Sequence, residues 1–426
     1  MTTVGNKPMA ILVHSFATDN ACRAKYERLL RQRRKNLSRR RVLSRRVSKR
    51  GEYCTSWLMV LFVATSFLYS IPRPKIVWKF DRSTHWWDDI VLKTFSEDDW
   101  MENFRVSKHT FDYLCTQLSP LIKRQDTVLR KAIAVPHRVA ITLWCLATCG
   151  EYRTIGHLFG VARCTVCVIV HDTCEAIVRI LLKKYIQFPM DEQLVHVVNG
   201  FRLKWGMVQC GGAVDGCHIP VKPPALNHTD YYNRKGWYSV ILQGVVDHEY
   251  LFRDVYVGWP GSVHDARVFA NSKIFKLGSE NNILQGNKVR IGEVDIPIFV
   301  VADSAYPLST WLMKPFPHGS ALTQGQKNFN YNLSRARIVV ENAYGRLKAR
   351  WRRLCKSNDM IVEHVPTVIT ACCILHNVCE VHGDRFNESW IEEHCDLLEQ
   401  PPSAGTTAVT SDAASTIRNA LVQYYS

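Results

Sequence analysis

Three acids, Asp215, Asp303 and Glu341, stand in surroundings that could support chemistry. Asp215 follows the apolar run Gly212, Ala213, Val214 and precedes Gly216, Cys217, His218 and Ile219. A charge at the end of a short apolar strand is costly unless a cation meets it. Asp-Gly is also a hairpin signal, and taken alone this stretch reads as a turn. Residues 296–303 read IPIFVVAD, a run of buried-strand character that ends in Asp303 and is broken by Ser304, Ala305, Tyr306 and Pro307. Glu341 lies within 334–351, where Ile338, Tyr344, Leu347 and Trp351 recur at helical intervals and predict a helix. Two strand-end carboxylates and one helical carboxylate can converge on hard divalent cations, which take oxygen ligands.

The predicted helix is strongly basic. Arg337, Glu341, Gly345, Lys348 and Arg352 fall on one stripe, and Arg335, Arg346, Arg350 and Arg353 widen it. Ion pairing at i,i+4 on a solvated face is one reading. One acid among so many bases leaves most of them without a partner on that helix, which favours a polyanion running past a metal-binding carboxylate.

The segments VDGCHI, YYNRKGWYSVILQGVVD, GWPGSVHDARVF, VADSAYPL and VENAYGRLKARWRRL occur in this order. Together they resemble the DDE nuclease domain of the PIF/Harbinger transposases, which recurs in Harbinger-derived nucleases and ALP-like proteins. The likeness is dense over 205–380 and extends more weakly back to about residue 95. It implies an α/β fold: an RNase H-like mixed sheet flanked by helices, preceded by a helical, helix-turn-helix-like domain. It also implies catalytic, metal-binding acids at Asp215, Asp303 and Glu341, with a fourth metal-site carboxylate at Asp265. A Myb/SANT-like protein partner is implied as well. The family often carries Thr where this chain has Cys217, a departure close to the first acid. His218 and His264 are candidate donors behind the metal ligands, with a structural role as the simpler reading.

The chemistry expected is phosphodiester cleavage with two Mg²⁺ or Mn²⁺ ions about 3.5–4 Å apart, Asp215 bridging them. The competing expectation is a domesticated DNA-binding or scaffold protein that keeps the acids without turnover.

Composition agrees with a nucleic-acid partner. The 426 residues carry a net charge of +17, and 46% are hydrophobic, enough for a sizeable core. Residues 23–50 hold fourteen Lys and Arg against the single acid Glu27, so most of the excess sits in an arm. Such a run suits nuclear import, phosphate contact or both, and points to the nucleus. Fifteen cysteines at irregular spacing, many in apolar helical surroundings, indicate free thiols in a reducing compartment. Cys164 and Cys167 form an isolated C-x-x-C with no second pair at zinc-finger distance, so no structural zinc is expected from the cysteines.

Five regions follow. Residues 1–52 form the basic arm. Residues 53–80 are an apolar segment and linker, in which 53–72 carry no charge; a membrane span and a buried apolar helix are the two readings, and the nuclease downstream weighs against the span. Residues 81–192 form the helical domain, with a helix-turn-helix-like run whose last helix opens near Arg163 and Thr165, where DNA contacts would lie. Residues 193–390 are the nuclease domain, with Val195–Trp205 as its connection. A polar loop over 223–235, with Lys222 before it and Arg234 and Lys235 inside it, is a candidate phosphate contact, as are Arg337, Lys348 and Arg352. Paired strands are expected at Tyr238–Asp247 and Leu251–Val257, joined at His248-Glu249, then a helix near His264–Phe269 and an apolar helix over Val365–Cys379 in which His376 is a core residue. Residues 391–426 are expected to be a disordered tail.

Overall fold

The computed structural model describes residues 81–128, 131–280, 284–317, 321–357, 360–392, 400 and 411–426. The basic arm and the uncharged stretch 53–72 lie outside the described residues.

The sheet follows from the longest apolar runs in the chain. Strand β1 (Cys210–Pro220) is buried along nearly its whole length, and β2 (Ser239–Val246) along all of it. Such strands must be covered on both faces. β3 (Phe252–Pro260) pairs antiparallel with β2, which pairs antiparallel with β1. After a small hairpin, β4 (Val289–Ile291) with β5 (Val294–Ile296), the chain returns through β6 (Phe299–Val301) and β7 (Leu312–Met313), both parallel to their neighbours. The order β3-β2-β1-β6-β7 makes a five-stranded mixed sheet with β1 at its centre. This is the RNase H-like arrangement the family resemblance implies.

Helices cover the sheet. Asp191–Trp205 is a helix that packs on β1, where the sequence suggested only a connection; Leu194, Val197 and Phe201 give it a buried face. The long helix Gln324–Arg350 begins ten residues before the expected Ser334, because Thr323 and Gln326 form a reciprocal capping box. Its buried face is Phe329, Leu333, Ala336, Val339, Val340, Ala343, Tyr344 and Leu347, whereas Ile338 points outward.

The helices Glu97–Phe104, Lys108–Ile122, Val135–Ala147, Tyr152–Leu158 and Arg163–Tyr185 precede the sheet. Trp87, Trp100, Phe104, Phe111 and Leu114 are buried among them. Their apolar side chains belong to the same core cluster as those of the sheet, joined through the helix Val365–His382. By length and composition alone the stretch Val362–His382 could cross a membrane, but 78% of it is buried inside the fold. His376 is fully buried there, its Nε2 2.9 Å from the carbonyl of Tyr250.

The expected disordered tail needs correction. Asp412–Tyr424 is a helix capped by Ser411, with Ala414, Ile417, Ala420 and Leu421 buried against the long helix. The Tyr425 hydroxyl donates to the Gly206 carbonyl at 2.8 Å and accepts from the Val208 amide at 3.0 Å. The Ser, Thr and Ala content of 403–416 hid a short amphipathic period.

Candidate active site

Asp215 sits in mid-strand, not at a strand end or in a turn: Gly216 continues β1 opposite Gln243. The reason for glycine is space. A Cβ at Gly216 would lie 2.5 Å from the Asp265 Oδ1, so the bare backbone admits that carboxylate beside Asp215. Gly244, the cross-strand partner of Asp215, does the same for Tyr344, whose hydroxyl would lie 2.9 Å from an added Cβ. That hydroxyl donates to the Asp215 carbonyl at 2.8 Å and ties the long helix to the central strand.

Parallel pairing brings the second acid alongside. Ala213 is in register with Val301, so Asp215 and Asp303 each lie two residues further along neighbouring parallel strands. The Asp303 Oδ1 accepts the Ala305 amide at 2.9 Å, which orients the carboxylate where the strand breaks. Asp265 is the first residue of the helix Asp265–Ala270, as the third acid of this crowd. Glu341 approaches from the long helix through Arg337, whose Nη1 lies 2.6 Å from the Glu341 Oε1 and 3.4 Å from the Asp215 Oδ2.

The electrostatics reflect this crowding. Burial, and then repulsion from Asp303, push the Asp215 carboxyl up to about 8, with Arg337 opposing and Asp265 adding to the rise. Tyr306 is buried nearby, its hydroxyl without a hydrogen-bond partner among the described residues, and burial followed by Asp265, Asp215 and Asp303 suppresses its ionisation. Among the described residues the acids do not bring three ligand oxygens within 4.8 Å of one another. The Arg337 guanidinium spans the gap between Asp215 and Glu341. The donor set is all oxygen, and Asp303 and Asp265 together press charge on a buried Asp215 that Arg337 offsets. Residues of this kind fit a hard divalent cation.

The basic residues divide into two groups. Lys222, Arg234 and Lys235 are exposed, and the loop carrying them is fastened at the Ser262 amide to the Asp230 carbonyl, 3.0 Å. Arg234 contacts the ring of His264, next to Asp265. Arg163 is exposed and Thr165 half-buried in the first turn of Arg163–Tyr185. The stripe on the long helix is different, and the expectation of a largely free basic face is corrected. Lys348 is buried, its ammonium donating to the His218 carbonyl at 3.2 Å. Arg350, also buried, donates to the carbonyls of Arg105 and Asp384 at 2.7 and 3.3 Å. Arg346 pairs with Glu380, and Arg353 is buried with its guanidinium over the Tyr152 ring. Arg352 is half-buried. These bases hold the helical region to the sheet.

His218 and Cys217 turn into the core. His218 Nδ1 is 2.9 Å from the Ser239 hydroxyl, and burial lowers its pKa to about 4. Cys217 is buried beside Lys348. Sequence reasoning passed over Tyr306, Tyr344 and Lys314; the last is half-buried, feels the charge of Asp303, and donates to the Ser304 carbonyl at 3.4 Å. Two of the three are three residues beyond an acid, Tyr306 after Asp303 and Tyr344 after Glu341, a spacing that could have drawn attention.

Comparison with known proteins agrees with this architecture. Residues 214–377 match a family described as DDE superfamily endonuclease, a span that includes all four acids. The protein Antagonist of Like Heterochromatin Protein 1 of Arabidopsis thaliana is 31% identical over 320 residues, covering 71% of this chain and 80% of the relative. The chain belongs to the Harbinger-derived DDE nucleases. Other members of this family include Protein ALP1-like of Arabidopsis thaliana, 28% identical over 80% of this chain and 85% of its own. The Homo sapiens protein named "Putative nuclease HARBI1" is 27% identical over 73% of this chain and 86% of its own. No solved structure matches the chain. A DDE endonuclease domain implies divalent-metal use and DNA as the substrate class.

Proposed function

We propose that this protein is a transposase-derived DNA endonuclease that works by a two-metal mechanism at Asp215, Asp303 and Glu341. The observation that carries the reading is the crowd of carboxylates from β1, the end of β6 and the start of Asp265–Ala270, with Glu341 joined to it through Arg337. Asp215, Asp303 and Glu341 would hold the ions, and Asp265 would bind or orient a ligand water. Mg²⁺ or Mn²⁺ held there would acidify a water or a DNA 3′-hydroxyl and offset charge on the leaving oxygen. Arg337 must leave at least one of its two carboxylates for that to happen, which frees its guanidinium for a DNA phosphate.

Residues 23–50 supply sequence-independent phosphate contacts, Lys222 just before the loop over 223–235 and Arg234 and Lys235 within it add further ones, and Arg163 with Thr165 lie where a helix could meet a groove. Nuclear localisation and a Myb/SANT-like partner belong to the same reading. Replacing Asp303 by Asn is expected to lower Mg²⁺-dependent nicking at least a thousandfold with DNA affinity changed less than about twofold. Nicking by Asp303→Asn at the parent rate would overturn the assignment.

A second reading has one observation in its favour: the name of the first Arabidopsis relative speaks of antagonising a heterochromatin protein, not of cutting. A domesticated scaffold would bind DNA with the same salt dependence and show no Mg²⁺-dependent nicking by the parent protein.

A further inference from the structure

At the turn of the β2–β3 hairpin, four residues beyond Gly244, the cross-strand partner of Asp215, three side chains converge that the nuclease reading does not use. His248 and Glu249 form the tip of the hairpin, and His196 comes from the helix Asp191–Trp205. One ring nitrogen from each histidine and one Glu249 oxygen lie within 4.8 Å of one another. His196 Nε2 is 3.4 Å and His248 Nε2 3.8 Å from the Glu249 Oε1, and the two rings are 4.9 Å apart. These separations are long for an imidazolium–carboxylate hydrogen bond, which draws in to about 2.7–2.9 Å. They approach the spacing of roughly 3.3–3.5 Å between donors around a tetrahedral ion with bonds near 2.0–2.1 Å.

The helix is shaped around the buried ring. Gly200 lies one turn beyond His196, and a Cβ there would sit 2.0 Å from the His248 Cδ2, inside the imidazole. His248 is itself buried, and its Nε2 is the ring nitrogen that faces Glu249. Lys204, the nearest cation on the same helix, has its ammonium 3.5 Å from the His248 carbonyl. Asp247 is engaged by Arg253 at 2.6 Å and is not a competing ligand.

We infer that His196, His248 and Glu249 form a binding site for a borderline divalent transition ion such as Zn²⁺, clipping the helix Asp191–Trp205 to the β2–β3 hairpin. Two imidazoles and one carboxylate suit Zn²⁺, whereas Mg²⁺ prefers an all-oxygen set such as the acids around Asp215. The fourth position is open to water. The clip is independent of the nuclease reading and differs from the cysteine sites that the C-x-x-C spacing leaves out.

The test is titration of metal-stripped full-length protein with Co²⁺, followed by its visible absorption, and competition by Zn²⁺. One equivalent with tetrahedral-type absorption is expected in the parent, in Asp303→Asn, and in the Cys164→Ser, Cys167→Ser double variant. His196→Ala removes an exposed ligand without touching the core, and is expected to weaken binding more than about tenfold. Zn²⁺ should also raise the thermal midpoint of the parent but not of His196→Ala. Absence of the absorption in the parent would overturn the site, as would its survival in His196→Ala or its loss with the two cysteines.

Discussion

Asp215 is the residue on which local physics and the proposed chemistry meet. In water a carboxyl of this type titrates near 3.8; here burial and neighbouring acids push it up to about 8. The fold therefore holds a proton between those values that the unfolded chain has already lost, and stability falls as pH rises through that window. Thermal unfolding in EDTA should show this slope between about pH 4 and pH 8, and Asp215→Asn should flatten it. Equal slopes in the two proteins would mean that Asp215 is not held among uncompensated acids. Divalent cations reverse the balance, because they bind the ionised form and release the proton. The acids themselves were legible from VDGCHI, VADSAYPL and VENAYGRL. The helpers were not: Gly216 reads as half of a turn signal, and only the approach of Asp265 explains it.

At the scale of elements, the long helix does two jobs that its sequence blends. Its outer face carries Arg337 and Glu341 toward the acids, while Lys348, Arg350 and Arg353 turn inward to satisfy carbonyls and cover a ring. Spacing alone cannot separate a basic residue that meets DNA from one that meets a buried carbonyl, since both occupy the same helical stripe. Lys348→Met is expected to destabilise the fold by about 1.5–3 kcal/mol, the usual worth of a hydrogen bond to a charged group. It should leave the salt dependence of DNA binding unchanged. A shallower salt slope with unchanged stability would return Lys348 to the phosphate contacts. β2, β3 and β6 were readable from their apolar runs, whereas β1 ran on past Asp215 and β4, β5 and β7 were too short to signal. The helix Asp412–Tyr424 was not, because small and hydroxylated residues diluted its period until Gly206 and Val208 supplied partners for Tyr425.

For the whole molecule, charge and catalysis are proposed to sit in different places. Fourteen basic residues lie in 23–50, whereas the acids lie on the central strand, just past β6 and on two helices beside the sheet. Deleting 23–50 should weaken binding to unrelated DNA sequences to a similar extent and lower the slope of log affinity against log salt. A loss confined to one sequence would instead assign base reading to the arm. The account as a whole depends on the acids of β1, β6 and the long helix sharing cations. The most direct measurement is anomalous diffraction from crystals of the full chain grown with Mn²⁺. Two peaks that both touch Asp215, one reaching Asp303 and the other Glu341, with Arg337 swung away, are the predicted result. Mn²⁺ absent from these acids at saturating concentration, with Arg337 still joining Asp215 to Glu341, would contradict it.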